Sequence, residues 1–355
     1  MAICAERSGV SAPQNRGAVP LDLLRLRPAH GLDVGVDPDS DLGADRLIAQ
    51  LRRLRLGALA WYQLRDQASP LRGHFNARQL RELKKCFIAR TAGALNAHAA
   101  ARVVVKALSP SPSIPYLFIK GFAASAVLYP HPALRPLGDV DLWLPPERFA
   151  EALKRLQRYG YSGEVKRSSD FVAQLRHPHG LSLDVHSSLR QSERLRFAFA
   201  EAYQRRQQVR VDDLDLPLPG LVDLFIIQAY SLASGELVES FNAWIDLREL
   251  LLRYPQMLDD AALRQRVRAA GLGAALWTVL WRLGQMWPEL EINLKKIQWV
   301  MPSVTHSLAL AALSPTLNRI WRGRRLPRRR QLVVKALLLQ DLPTVARFAL
   351  EHFKR

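Results

Sequence analysis

Apolar residues recur at helical spacing through two stretches ahead of the middle of the chain, DRLIAQLRRLRLGALAWYQL and ARQLRELKKCFIARTAGALNAHAAARVVVKAL, and this spacing predicts an α-helical region there. The segment SPSPSIP ends it. The pattern then changes: YLFIK reads as a short apolar strand, GFAASAVLY as an Ala-rich helix, and PHPALRPLG as a Pro-rich loop leading into the strand DVDLWL. PPERFAEALKRLQRYG opens with prolines suited to a helix start and closes on Gly160, suited to its end. FVAQLR and LSLDVHSSL flank the turn HPHG as in a hairpin, so the predicted order is β-α-β-α-β-β.

Beyond about residue 190 the spacing returns to helices, in LVDLFIIQAYSLA, SFNAWIDLRELLLRY and AALWTVLWRLGQMW. The end carries a basic linker, NRIWRGRRLPRRR, and a last helical segment. The expected fold class is α+β, a small mixed sheet flanked by helical regions. Its expected parts are a mobile leader over 1–40, an N-terminal helical region over 41–110, a core over 111–190 and a C-terminal helical region over 191–355.

Composition narrows this picture in two ways. With 48% hydrophobic residues in 355 the chain can bury a sizeable core, which excludes disordered and fibrous classes. Its 51 basic against 32 acidic residues, a net charge of +19, suit phosphate-rich partners: nucleotides, nucleic acid or an anionic membrane surface. Solvated Arg-rich helix faces explain the same excess without a partner. Cys4 and Cys86 stand far apart with no neighbouring His, which leaves neither a disulfide framework nor a Cys-based zinc site. No run of eighteen uncharged apolar residues and no signal-peptide core occurs, so a cytoplasmic protein without a transmembrane segment is expected.

The candidate chemistry lies in the middle. Residues two apart on a strand project to one face, so Asp139 and Asp141 point together. Two carboxylates held so close favour a cation between them, and Mg²⁺, or Mn²⁺ in its place, takes hard oxygen ligands while leaving positions for phosphate. Asp184, on the alternating strand LSLDVHSSL, is the best third carboxylate, and His186 shares its face as a base, a support or a structural histidine. Lys120-Gly121 ends a strand where a helix begins, offering free N–H groups, a close approach and a point charge to phosphate. Arg135, just ahead of the acids, could fork onto phosphate oxygens. Trp143 either stacks on a base or packs in the core, His177 and His179 read as turn residues, and Asp246 either closes the site or serves its own helix beside Arg248.

These residues resemble the nucleotidyltransferase superfamily, with its DNA-polymerase-β-like fold. They are more closely similar to an uncharacterised bacterial nucleotidyltransferase family reading Lys-Gly, Arg, Gly-Asp-hydrophobic-Asp, here IKGFAASAVLYPHPALRPLGDVDLWL, with an acid two residues before a His in LSLDVHSSL and a helical Trp244 and Asp246 in FNAWIDLREL. The resemblance implies a nucleotidyltransferase core, with Asp139, Asp141 and Asp184 as catalytic metal ligands, Gly121 as the phosphate-loop glycine, and Lys120 and Arg135 beside the nucleotide. It implies transfer of a nucleoside monophosphate from an NTP to a hydroxyl of nucleic acid, protein or sugar. Where the superfamily usually has Gly-Ser or Gly-Gly, this chain has Gly121-Phe122, which keeps open an inactive relative that binds a nucleotide or a partner. The basic balance keeps open a toxin acting on tRNA.

Overall fold

The computed structural model describes residues 41–300 except 70–71, 166–171, 190–196, 235–240, 291 and 293–296. The expected leader over 1–40, the basic linker and the terminal helical segment lie outside the described residues. Three helices come first: α1 (Asp41–Arg53), α2 (Gly57–Leu64) and the long α3 (Ala77–Leu108). A capping box starts α3, in which the Asn76 side chain accepts from the Gln79 N–H and the Gln79 side chain accepts from the Asn76 N–H. Its buried stripe, including Ala97, Ala100, Ala101, Val104 and Leu108, is small enough to lie close on its neighbours.

A five-stranded sheet follows, built from β1 (Leu117–Ile119), β2 (Val140–Trp143), β3 (Ser162–Val165), β4 (Val172–Arg176) and β5 (Ser182–His186) in the order β1-β2-β5-β4-β3. Only the β2–β5 pair is parallel. Helix α4 (Lys120–Leu128) joins β1 to β2, and α5 (Phe149–Arg158) lies between β2 and β3. The expected α+β class with a small mixed sheet is what the chain forms. Alternation divides the sheet: Val140, Leu142, Ala173, Leu175, Leu183 and Val185 are buried in one core with the α3 stripe and with Ala152 and Leu156 of α5. The opposite face carries the candidate acids.

Two elements depart from the expected order. The first is β3, a strand that the sequence pattern does not show: its SGEV has no apolar alternation, and it holds its place at the sheet edge through backbone pairing with β4. A Cβ on Gly163 would come within 2.0 Å of the Gln174 carbonyl oxygen, so only glycine lets this edge pair. The second is a hairpin of β6 (Gln207–Val211) and β7 (Leu214–Leu218), inside the stretch read as helical. Leu214, Leu216 and Leu218 supply the buried face. Its turn lacks glycine, and Asp212 takes the left-handed conformation (φ 54°) that an Asp tolerates. In the chain, α6 (Phe199–Gln204) precedes the hairpin, and α7 (Leu221–Ser234), α8 (Phe241–Arg253), α9 (Ala261–Ala270) and α10 (Gly273–Met286) follow it. Both α7 and α8 pack against α4, so the C-terminal helices brace the element that starts at the site. Among the described residues no helix is long and apolar enough to cross a membrane.

Candidate active site

Strand register brings the acids together. Asp141 and Asp184 are direct partners on the parallel β2 and β5, which sets their backbones one strand spacing apart, about 4.8 Å. Gln174 follows on β4 opposite Asp184 and donates from Nε2 to both carboxylate oxygens at 3.2 Å. The next row along the same face pairs Trp143 with His186. Trp143 is 1% exposed, stacked on Phe197 (centroids 5.8 Å) and edge-on to Phe199 (5.3 Å), so this indole belongs to the core and closes one end of the acidic face.

Asp141 is nearly buried and accepts two hydrogen bonds on one oxygen, Oδ1: from Lys120 Nζ at 2.6 Å and from His186 Nε2 at 2.9 Å. Burial alone would push its carboxyl up, yet Lys120 and His186 hold it well below the usual carboxylate range. Burial, and then the Lys120 charge, push His186 down against the pull of Asp141. A neutral imidazole donating from Nε2 satisfies both constraints. Asp139 stands just before β2, at the exposed mouth. Its carboxyl is pushed up to about 6, first by desolvation and then by the negative charges of Asp141 and Asp184. Lys120 and Arg135 offset this only in part.

That upward shift carries a stability prediction. The folded Asp139 binds its proton up to about pH 6, against 3.8 for an unperturbed Asp, so its contribution is most favourable below pH 4 and is lost as pH rises through 6. Asp139→Asn is therefore expected to raise the melting temperature of the metal-free protein by about 1–2 °C at pH 8, the equivalent of about 1 kcal/mol after solvent screening. At pH 4 the gain disappears, which thermal denaturation at both values will show.

Lys120 has a left-handed backbone (φ 50°), uncommon for a residue with a side chain, at the junction of β1 and α4. This bend turns the chain from strand into helix and sends the ammonium to Asp141. The first turn of α4 has no side-chain cap at Ile119, which leaves N–H groups for an anion. Gly121 faces something other than open space: a Cβ there would lie 2.8 Å from Arg135 Nη1 and 2.9 Å from its Cζ. The Arg135 guanidinium thus forms the floor beneath the Lys120-Gly121 turn. It is held by Asp246, with Nε at 3.1 and 3.3 Å and Nη2 at 2.8 Å, while Nη1 donates to the Pro136 carbonyl at 2.8 Å. We expect Gly121→Ala to displace this guanidinium and lower stability by about 1–3 kcal/mol, measured by denaturant unfolding.

Asp246 itself, wholly buried on α8, also accepts from Tyr129 OH at 2.8 Å and Gln228 Nε2 at 3.2 Å. It supports the site from behind and does not reach its face. Tyr129, Gln174 and Gln228 are partners that motif reading overlooks. Gln174 has a legible trace, in that it alternates with Ala173 and Leu175 toward the polar side of β4.

An open cleft of about 370 Å³ adjoins Asp139, between α3 and the β4–β5 turn, with Gly93, Asn96, Gly138, Gly180 and Ser182 in its lining. A Cβ on any of these three glycines would meet nothing within 4 Å. His177 and His179 lie on the turn itself, their rings tilted at 37° with centroids 5.0 Å apart.

The carboxylates offer hard oxygen donors, and the charges of Asp141 and Asp184 add to the upward push that desolvation begins on Asp139, so the site suits a divalent cation. It is not a finished cage: among the described residues no three His, Cys, Asp or Glu side chains surround one point, and Lys120 sits against Asp141.

The chain is similar to a crystal structure of an antigenic nucleotidyltransferase-like protein from Paracoccidioides brasiliensis, at 18% identity and a TM-score of 0.32, over 59% of this chain and 91% of that one. No curated protein matches it. The profile described as "uncharacterised nucleotidyltransferase" matches residues 40–288, which span all the strands and the helices that brace them. The chain belongs to this family of uncharacterised nucleotidyltransferases.

Proposed function

We propose that the protein is a Mg²⁺-dependent nucleotidyltransferase, also served by Mn²⁺, that moves a nucleoside monophosphate from an NTP to a hydroxyl acceptor. The observation that carries the proposal is the pairing of Asp141 with Asp184 across the parallel strands, with Asp139 at the mouth of the same face. Asp139, Asp141 and Asp184 would hold the metal, which supplies charge neutralisation at the phosphates. The chain's own groups do the rest. The first turn of α4 receives a phosphate on its N–H groups, and Gly121 permits the close approach. Arg135 fixes that turn from below and adds positive charge. Asp184, steadied by Gln174, aligns the acceptor hydroxyl and takes its proton. The acceptor oxygen bonds to the α-phosphorus as the bond to the β-phosphate oxygen breaks, and pyrophosphate leaves.

Purified protein incubated with Mg²⁺ and each α-³²P-labelled NTP is expected to label an acceptor in a panel of tRNA, proteins and sugars. Absence of label everywhere, together with no metal-dependent NTP binding, sinks the proposal. A second reading has an observation behind it: Phe122, in the place where the superfamily usually offers a small residue, is 1% exposed and packed on Phe118, with ring centroids 5.1 Å apart. A nucleotide-binding protein without turnover would bind NTP as well after Asp184→Asn as before and label nothing.

A further inference from the structure

We propose that the Lys120 ammonium is the resident cation of the carboxylate site, so that free divalent ions are excluded and the metal enters only together with a triphosphate that draws Lys120 away. The inference rests on the nucleotidyltransferase reading and concerns the order in which that site fills.

Three observations carry it. First, Lys120 Nζ lies 2.6 Å from Asp141 Oδ1 and 3.4 Å from His186 Nε2, in contact with the innermost carboxylate of the cluster. An ammonium at that distance takes the coordination space a metal would need on the same oxygen. Second, this position is imposed by the backbone. The left-handed conformation at Lys120 is sparsely populated for non-glycine residues, and the guanidinium packed under Gly121 limits how the following turn can relax. Third, the site has carboxylates enough for a divalent ion, yet among the described residues no three of its ligand-type side chains converge on one point.

The Lys120 side chain is still 29% exposed, which leaves it a path outward along its flexible stem. A triphosphate at the start of α4 offers several negative oxygens beside the same residue. Exchange of one carboxylate oxygen for phosphate oxygens then frees Asp141 at the moment a metal–nucleotide complex arrives. No covalent bond changes, and the gain in binding comes from substituting a divalent ion for a monovalent one on Asp141. His186 stays behind as the hydrogen-bond donor that keeps Asp141 oriented.

The test is Mn²⁺ binding, followed by electron paramagnetic resonance of free Mn²⁺ and by calorimetry, on the full chain with and without α,β-methylene analogues of ATP, GTP, CTP and UTP. The unmodified protein is expected to bind free Mn²⁺ weakly and to bind it at least tenfold tighter in the presence of the nucleotide it uses. Lys120→Met is expected to bind free Mn²⁺ at least tenfold tighter than the unmodified protein, and the gain should vanish in Lys120→Met/Asp141→Asn. Lys120→Arg, which retains a cation and checks that the turn tolerates substitution, should stay weak. Tight free Mn²⁺ binding by the unmodified protein, or no gain in a folded Lys120→Met, overturns the inference alone if Mn²⁺–nucleotide binding persists. Absence of Mn²⁺ binding under every condition overturns both it and the proposed function.

Discussion

Asp246→Ala is expected to lower the melting temperature by about 6–10 °C, the largest stability loss of any single substitution near the site. Asp246 is fully buried and takes donors from Arg135, Tyr129 and Gln228. Removing it strands a guanidinium that is itself 9% exposed, and breaking a buried ion pair in this way costs about 3–5 kcal/mol. For a chain of this size that translates to about 2 °C per kcal/mol, by order of magnitude. Arg135 is held strongly protonated by Asp246 in spite of its burial, so the orphaned charge cannot be shed by losing a proton. Tyr129, whose hydroxyl is pushed well up by burial and by the Asp246 charge, loses its acceptor as well. The double variant Arg135→Met/Asp246→Leu should recover much of the stability, since replacing both partners by apolar groups removes the unpaired charge. It should not recover transfer activity, because the floor under Gly121 is gone. If Asp246→Ala melts within 2 °C of the unmodified protein, the pair is not the brace described above.

The same pair shows what a sequence discloses and what it hides. Asp139, Asp141 and Asp184 are legible because strand alternation is a local rule: a two-residue period and an apolar background specify the face without knowledge of the partner strand. The register that sets Asp141 opposite Asp184 is a tertiary fact, fixed by β2 and β5 meeting in parallel across an intervening helix and hairpin. Arg135 reads as a phosphate fork because it precedes the acids, while the residue that occupies its donors lies 111 positions away on α8. Nothing in FNAWIDLREL says that Asp246 points inward; on helical spacing it shares the chain with Arg248 and reads equally well as a surface acid. Trp143 was legible only as a choice, settled by Phe197 and Phe199, which arrive from outside the core segment.

The missed strands have a common cause. β3 has no period-two alternation, and β7, whose Leu214, Leu216 and Leu218 do alternate, follows a turn without glycine; each depends on a backbone device: a glycine that admits a neighbouring carbonyl, or an Asp in the left-handed region. Local pattern shows where side chains must go, and backbone exceptions show only where the chain must bend. At the site these two coincide at Lys120-Gly121, where a residue with φ 50° precedes a glycine packed on a guanidinium.

Asp141→Asn is expected to reduce nucleotidyl transfer by about 10³-fold or more, equivalent to about 4 kcal/mol in the barrier, while leaving the melting temperature within a few degrees. The substitution keeps the shape of the side chain and its place opposite Asp184, but it removes the charge that Lys120 and His186 both address. Lys120 can turn to solvent or to a neighbouring acid, which limits the stability loss to about 1–3 kcal/mol, the range for one charge-assisted hydrogen bond. The wild-type carboxyl is depressed, so its stabilising contribution is present above the ordinary Asp value of 3.8 and is lost as pH falls below it. The difference between the two proteins should therefore shrink below pH 4. Single-turnover transfer and thermal melting on the same sample separate the two effects. Activity that falls only in proportion to the fraction unfolded would make Asp141 a structural carboxylate, leaving the paired acids without a catalytic role.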